Sequence, residues 1–398
     1  GRLLADDMGL GKTVSAIAAA KQVTDRVLVV TPKTQIPHWE RHLQQWAPEL
    51  QATVLNYEKL LNERLLLDLL KQQPPVIILD EVHRVRHRKT KIHKAVKRLT
   101  RHAEFCWGLS GTPLVRSPTD LLGIYIALNP ATKGGYWGLV NTFMLTQKGV
   151  WGNIEILGVA NPEYFKQWLR TWALRRTKPS EGWPTKQRVG IPLRMDDPQL
   201  RQWHDELWEE FMTELDDEVV LTPTKLAALT RIRQLLVSPK LLNPKVLTAG
   251  PKAQWIQDFL ESHPTTPVVI FSPFKEALYH FGVDHIISGD TPQKRRQEVI
   301  QKFQGGDVNV VGVSLTMAEG FELPRGQVGV FVGFDWNAST MRQAEDRLHR
   351  PTNPNDRVIY YYLYFEDSPV ERHVLDVVNA KLTWQQVFVD ELNTSHKN

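Results

Sequence analysis

Residues 6–13 read DDMGLGKT, an order of residue types suited to holding phosphate. Gly9 and Gly11 let the backbone fold into a nest whose N–H groups face phosphate oxygens. A helix starting near Lys12 would point its positive end at the same anion. Lys12 would then pair with the β- and γ-phosphates of a nucleoside triphosphate, and the Thr13 hydroxyl would bind Mg²⁺. Asp7, Met8 and Leu10 complete the loop, while Asp6 stands where the strict pattern has its first glycine. Alone, Gly-Lys-Thr also suits an ordinary exposed turn. A second constellation, Asp80-Glu81-Val82-His83, follows the apolar run PVIIL at the carboxyl end of an expected strand. Open parallel sheets collect their ligands at that edge. Asp80 is placed to hold Mg²⁺, directly or through water, and Glu81 to orient and deprotonate an attacking water.

These groups need a scaffold, and the chain supplies an alternation of strand-like and helix-like stretches. Apolar runs at 26–31, 75–80 and 105–110 read as buried strands, and 12–23, 36–46 and 90–99 as helices between them. This is the pattern of a parallel sheet covered on both faces. The rhythm returns after residue 250, with strands expected at 268–272, 308–313, 328–332 and 357–363 and helices at 252–261, 292–303 and 339–347. The expectation is therefore α/β, with a first domain over 1–177 and a second over 251–398 that ends in a helix. An irregular Gly- and Trp-rich insertion is expected at 129–160. A hinge at 178–184 leads into a helical insertion up to 250, with helices at 198–217 and 222–242.

The chain has 398 residues, 42% apolar and 23% charged, which is ordinary globular composition. No apolar run approaches the length of a membrane span, so no membrane partner is expected. The single Cys106 excludes an internal disulfide framework and any cysteine zinc site; it reads as a core residue in a reducing, cytoplasmic compartment. The chain begins with Gly, as a fragment of a longer protein would. Net charge is only +5, but residues 1–177 hold 25 Lys/Arg against 14 Asp/Glu. That excess suits a polyanion, and nine Lys/Arg with no acid crowd residues 84–101. A solvated helix face is the plain alternative for that stretch. Of the 13 tryptophans, Trp39, Trp46, Trp107, Trp168, Trp172 and Trp255 read as packing residues.

The order of motifs resembles a superfamily II helicase motor of the Swi/Snf type of DNA-stimulated ATPases. Beyond the two constellations, the resemblance rests on VVTPKTQIPHWERHLQQW (29–46), VLNYEKLL (54–61), GLSGTPL (108–114), LRRTK (174–178), LTRIRQLLVSP (229–239), VVIFSPF (268–274) and DWNASTMRQAEDRLHR (335–350). It implies two RecA-like lobes, each a parallel sheet flanked by helices, with Swi/Snf-type helical insertions between them. It also implies an ATP- and Mg²⁺-using motor that tracks along double-stranded DNA. Arg347 and Arg350 resemble the family's arginine fingers, read as three apart on one helical face, and Gln343 matches the leading Gln of their motif. An arginine brings a fixed charge and a donor fork to a transferring phosphoryl group.

In relatives, DNA is met near Tyr57, the loop Ser110-Gly111-Thr112, Ser272 and Ser314. The basic residues Arg86, Arg88 and Lys89, and Trp336 at a strand end, join these as expected DNA contacts. Two departures stand out. Gly320-Phe321-Glu322-Leu323 carries Glu where the family usually has Asn, and a carboxylate there would repel a DNA phosphate. The family's adenine-reading glutamine motif lies upstream of the phosphate loop, where this sequence is short, so weak separation of ATP from GTP is expected. The rival readings are a strand-separating helicase of the same superfamily and a non-hydrolysing DNA-binding scaffold. The presence of Lys12, Asp80, Glu81, Arg347 and Arg350 speaks against the scaffold.

Overall fold

The structure is a computed structural model; it describes residues 1–114, 117–149, 154–178, 182–210, 212–215, 218–221, 224–317, 321–335 and 338–372. These form two compact units, Gly1–Lys178 and residues 179–372.

In the first unit the strands are β1 (Arg2–Leu4), β2 (Arg26–Thr31), β3 (Gln51–Asn56), β4 (Val76–Asp80), β5 (Phe105–Leu109), a β6–β7 hairpin (Met144–Lys148, Ile154–Val159) and β8 (Ala173–Leu174). The helices are α1 (Lys12–Val23), α2 (Ile36–Trp46), α3 (Glu63–Gln72), α4 (Lys91–Thr100), α5 (Thr119–Leu128), α6 (Gly135–Phe143) and α7 (Pro162–Arg170). One all-parallel sheet has the order β3-β2-β4-β5-β1-β8. Successive strand residues feed opposite faces, as the two-residue period requires. Leu28, Val30, Ile77 and Leu79 enter one core and Val27, Val29, Val76 and Ile78 the other. Both faces are buried, which is why these strands are continuous apolar runs. Cys106 is buried as expected, and burial pushes its thiol up to about 12. Trp46 departs from the packing expectation, being 50% exposed at the end of α2.

The second unit holds β9 (Thr185–Leu193), α8 (Pro198–Glu209), a β10–β11 hairpin (Met212–Leu215, Glu218–Leu221) and α9 (Lys225–Val237). There follow α10 (Pro251–Ser262), β12 (Val268–Ser272), α11 (Lys275–His280), β13 (Ile286–Ile287), α12 (Gln293–Gly305), β14 (Val310–Ser314), β15 (Val328–Phe331), α13 (Ala338–Leu348) and β16 (Arg357–Phe365). Its sheet, again all parallel, runs β13-β14-β12-β15-β16-β9. Two six-stranded parallel sheets flanked by helices are the expected α/β architecture.

The stretches between were read less well. Residues 129–160 are not irregular, because α6 and the β6–β7 hairpin occupy most of them. The region 178–250 is not only hinge and helices: β9 pairs with β16 over nine residues and closes the second sheet. The helix expected over 198–217 stops at Glu209, and a hairpin follows. The expected C-terminal helix and the middle of the hinge, residues 179–181, lie outside the described residues. Among the described residues no helix is long and apolar enough to cross a membrane.

A buried ion pair ties the second unit together. Lys252 on α10 is fully buried and donates to Glu371 Oε1 at 2.6 Å and to the Val332 carbonyl at 3.0 Å. The other Glu371 oxygen accepts from the Phe365 N–H at 2.7 Å. Removing one partner strands the other charge, which typically costs about 3–5 kcal/mol. Chemical denaturation of Glu371→Ala is expected to show a loss of that size, and Lys252→Met/Glu371→Leu to recover most of it. A single-variant loss under about 1 kcal/mol would mean the pair is not sealed from water.

Candidate active site

Strand register brings the two constellations together. Leu4 at the end of β1 and Asp80 at the end of β4 both sit opposite Leu109 of β5. The phosphate loop after β1 and the acidic pair after β4 therefore leave the same edge of one sheet. Gly9 (φ 86°) and Gly11 (φ 73°) adopt the left-handed backbone that favours glycine. A Cβ at Gly11 would meet nothing within 4 Å, so the requirement there is conformational and not one of space. The helix α1 starts directly on this residue without a side-chain cap.

Lys12 Nζ donates to the carbonyls of Asp6 at 2.7 Å and Asp7 at 3.0 Å. Its ammonium has three donors, so one is left for a ligand. Burial lowers the Lys12 pKa, while Glu81, Asp80, Asp6 and Asp7 pull it upward. Met8 reaches across to the SGTP loop, its Cγ 2.7 Å from where a Gly111 Cβ would stand. Only glycine fits at 111 with Met8 so close.

Asp80 is the most supported side chain of the site. Its Oδ2 accepts from Thr31 Oγ1 at 2.8 Å and Trp39 Nε1 at 2.9 Å, and its Oδ1 from the Glu81 N–H at 3.0 Å. The Tyr57 hydroxyl donates to the Asp80 carbonyl at 2.6 Å. Burial, and next the neighbouring Glu81 charge, raise the Asp80 carboxyl above its ordinary range, against the Trp39 and Thr31 hydrogen bonds. A carboxylate offers about four acceptor positions, and three are taken. The fourth and the raised pKa both fit a divalent cation, whose charge would relieve the strain of ionisation. The Thr13 hydroxyl has no protein partner among the described residues and could itself serve as a ligand.

Glu81 sits at φ 48°, a left-handed conformation that is costly for a side-chain-bearing residue and recurs at functional sites. Its Oε2 accepts from Ser110 Oγ at 3.3 Å and lies 3.2 Å from His83 Nδ1. His83 Nδ1 is in turn 3.1 Å from Ser110 Oγ.

Several expected DNA contacts are engaged elsewhere. Tyr57 is fully buried and supports Asp80, so it offers DNA no side-chain surface. Ser110, Gly111 and Thr112 are buried between Glu81 and Met8 and link the acidic pair to the phosphate loop. Ser272 is buried, its hydroxyl donating to the Phe274 carbonyl at 2.7 Å, and buried Ser314 meets Thr316 Oγ1 at 2.9 Å. Both hydroxyls bond within the turns after their strands. Trp336 lies outside the described residues.

The basic stretch 84–101 is not one helix. Arg86, Arg88 and Lys89 precede α4, whose N-cap Thr90 accepts from the His93 N–H. Arg86 turns inward, donating to the His83 carbonyl at 3.0 Å and lying 3.8 Å from Asp120. Arg88 lies over the rings of Tyr136 and Trp137, 5.0 Å from each centroid, and Lys89 is exposed.

In the second unit Arg347 and Arg350 are both buried. Arg347 Nη1 donates to the Phe321 carbonyl at 2.6 Å and its guanidinium covers the Phe321 ring. Arg350 lies beyond the end of α13, so the two do not share one helical face. Its Nη2 is 3.3 Å from Glu322 Oε1, so the Glu at the usual Asn position engages this arginine. Gln343 is buried on α13. Sequence reasoning missed what anchors this helix: Glu345 meets Lys186 at 3.0 Å, Arg188 at 2.5 Å and the Tyr362 hydroxyl. Burial pushes the Glu345 carboxyl up, but Lys186 and Arg188 outweigh it and hold it at about 2. The alternating KQRVG of β9 is the signal that would have found the two cations.

Two protein-family models match the chain. The SNF2-related domain model matches residues 1–73 and 54–235, and the Helicase conserved C-terminal domain model matches 251–352. The chain belongs to the SNF2-related family. It is 24% identical over 424 residues to an uncharacterized ATP-dependent helicase of Mycoplasma pneumoniae, covering 96% of this chain and 39% of that protein. It is 28% identical over 397 residues to the SWI/SNF-related matrix-associated actin-dependent regulator of chromatin subfamily A-like protein 1 of Xenopus tropicalis, covering 90% and 40%. The chain thus spans 39–40% of the length of these relatives. Among solved structures, it is similar to the Sulfolobus solfataricus SWI2/SNF2 ATPase core in complex with dsDNA. That match has a TM-score of 0.42 and 22% identity, over 99% of this chain and 89% of the other. In this SNF2-related chain the segments 29–46 and 54–61 converge on Asp80 through Thr31, Trp39 and Tyr57.

Trp39→Phe keeps the ring packing but takes a donor from a half-buried carboxylate. The expected loss is about 1–3 kcal/mol of unfolding free energy in the absence of Mg²⁺. An unchanged denaturation midpoint would show that the indole N–H does not support Asp80.

Proposed function

We propose that this chain is the ATP-hydrolysing motor of a protein that moves along double-stranded DNA. The observation that carries the reading is the common sheet edge at which Lys12, Thr13, Asp80 and Glu81 stand, with Glu81 tied to the Ser110 loop. Family membership and the ATP-dependent helicase among its relatives support it.

In this reading, Lys12 and the start of α1 bind the β- and γ-phosphates of ATP. Thr13 and Asp80 hold Mg²⁺, which when bound draws charge from the phosphate oxygens. Trp39, Thr31 and Tyr57 keep Asp80 in place. Glu81 orients the attacking water and accepts its proton at a carboxylate oxygen. Arg347 and Arg350 stabilise the charge on the transferring group, once released from Phe321 and Glu322. The basic excess of residues 1–177 favours a polyanion, with Arg88, Lys89 and the exposed Lys91 and Lys94 as phosphate contacts.

Steady-state ATPase rates with no nucleic acid, duplex DNA, single-stranded DNA and RNA test this directly. Duplex DNA should stimulate most; equal rates in all four would overturn the DNA-motor reading. Lys12→Ala should weaken ATP binding, whereas Glu81→Gln should spare binding and abolish turnover, because an amide cannot take the proton. Arg347→Ala and Arg350→Ala should lower turnover by roughly 10³-fold, with ATP affinity nearly unchanged.

Salt titration of duplex binding checks the basic surface. Contact with six to ten phosphates predicts a loss of about 10³–10⁵ in affinity between roughly 50 and 200 mM salt. Charge reversal at Lys89 and Lys91 should flatten that slope, and an unchanged slope would return this segment to a solvated face.

A further inference from the structure

Asp6 occupies the position at which a phosphate loop usually carries glycine, and the structure gives it a task. Its carboxylate is fully buried. One oxygen accepts from Arg176 Nε at 2.8 Å and from Arg176 Nη2; the other accepts from the Arg176 backbone N–H at 2.8 Å. The next residue repeats the arrangement. Asp7 Oδ1 accepts from Arg175 Nη2 at 2.7 Å, its Oδ2 from the Lys178 N–H at 3.2 Å, and its own N–H donates to the Arg176 carbonyl at 2.9 Å. Arg175 Nη1 also donates to the Ala5 carbonyl at 2.7 Å. All four carboxylate oxygens ahead of the glycines are thus bound by residues 175–178, which continue β8 beside β1.

The backbone carbonyls of the same two aspartates hold Lys12 Nζ. The chain of contacts therefore runs from Arg175 and Arg176, through Asp6 and Asp7, to the lysine of the phosphate loop. An unpaired carboxylate in that loop would swing toward solvent or toward the anion site. In the first case it would pull the Lys12 carbonyls out of place; in the second it would repel phosphate. The Arg176 guanidinium, closing two N–H groups on one Asp6 oxygen, and the Arg175 bond to Asp7 prevent both, because they fix direction as well as charge.

We propose that Arg175 and Arg176 are positioning residues of the nucleotide site, acting through Asp6 and Asp7 to set the loop and Lys12 for a triphosphate. This deepens the nucleotide reading above and rests on it.

The test is a double-mutant cycle on nucleotide affinity, using the full chain and a fluorescent ATP analogue with Mg²⁺. Arg176→Gln should raise the dissociation constant about tenfold or more. With hydrolysis followed in parallel, KM should rise while kcat at saturating ATP stays within about twofold, because no group touching the reaction has been removed. Arg176→Lys, which keeps the charge but not the fork, should fall between. In the Lys12→Ala background, Arg176→Gln should add less than about twofold, since its effect passes through Lys12. A merely stabilising pair would give full additivity, and that outcome overturns the proposal. If Arg176→Gln unfolds the chain, Asp6→Asn/Arg176→Gln removes both charges together and should still bind nucleotide at least about threefold more weakly; wild-type affinity in that variant also overturns it. Failure of the wild-type chain to bind the analogue at all would instead remove the nucleotide reading itself.

Discussion

A carboxylate drawn partly out of water must be satisfied by its surroundings, and much of the first unit is arranged around one such group, Asp80. Desolvation of an isolated carboxylate costs far more than a domain's net stability, so the group survives only if donors replace the lost water. Two of those donors, Thr31 and Trp39, and the Tyr57 hydroxyl that holds the Asp80 backbone carbonyl come from three different stretches of chain. Thr31 ends β2, Trp39 lies on the first turns of α2, and Tyr57 follows β3. Each is fixed by a sheet register that was already set by apolar packing. The Val30–Leu79 pairing places Thr31 beside Asp80, and Trp39, fully buried, brings its N–H to the same oxygen. The acidic end of the strand is thus a product of the core and not an ornament upon it.

This dependence explains what could be read from the sequence and what could not. Buried parallel strands and amphipathic or loop-bounded helices carry strong local patterns, and 12–23, 26–31, 36–46 and 268–272 have in the structure the limits their patterns indicate. The fold class and the loop-plus-acid edge follow from such patterns. Roles that depend on a partner distant in sequence do not. Trp39 reads as packing and Tyr57 as a surface contact until Asp80 is placed between them. Strand β9 has alternating charged residues and looks like linker, because it buries no residue and is held as a strand only by pairing with β16, about 170 residues away in the chain. The hairpin at 212–221 follows α8 with no glycine or proline between, so nothing local announces the change of period.

The second unit shows a similar economy in its arginines. A guanidinium cannot lose its proton, so a buried one must find acceptors. Arg347 uses the Phe321 carbonyl and Arg350 the Glu322 carboxylate, both from a single segment. The carboxylate that would repel a DNA phosphate is well suited to a buried arginine. Meanwhile Glu345, locked by Lys186, Arg188 and Tyr362, holds the helix that carries Arg347 against the edge strands. Position and availability of the arginines are therefore set by different contacts, and the first can persist while the second changes.

Charge balance in the phosphate loop completes the picture. Lys12 lies within reach of four carboxylates, those of Asp6, Asp7, Asp80 and Glu81. A triphosphate approaching four bare negative charges would be repelled: at about 6 Å and an effective dielectric near 20, each would cost nearly 3 kcal/mol per phosphate charge. Arg175 and Arg176 cancel two of these at contact distance, and their own fixed charge does not vary with pH in the physiological range. What remains is one lysine facing Asp80 and Glu81. The residual negative charge is that of Asp80 and Glu81, which a divalent cation would neutralise. An acidic site can in this way serve an anionic ligand, because the two acids of its loop are answered by arginine and those at the end of β4 would be answered by a cation.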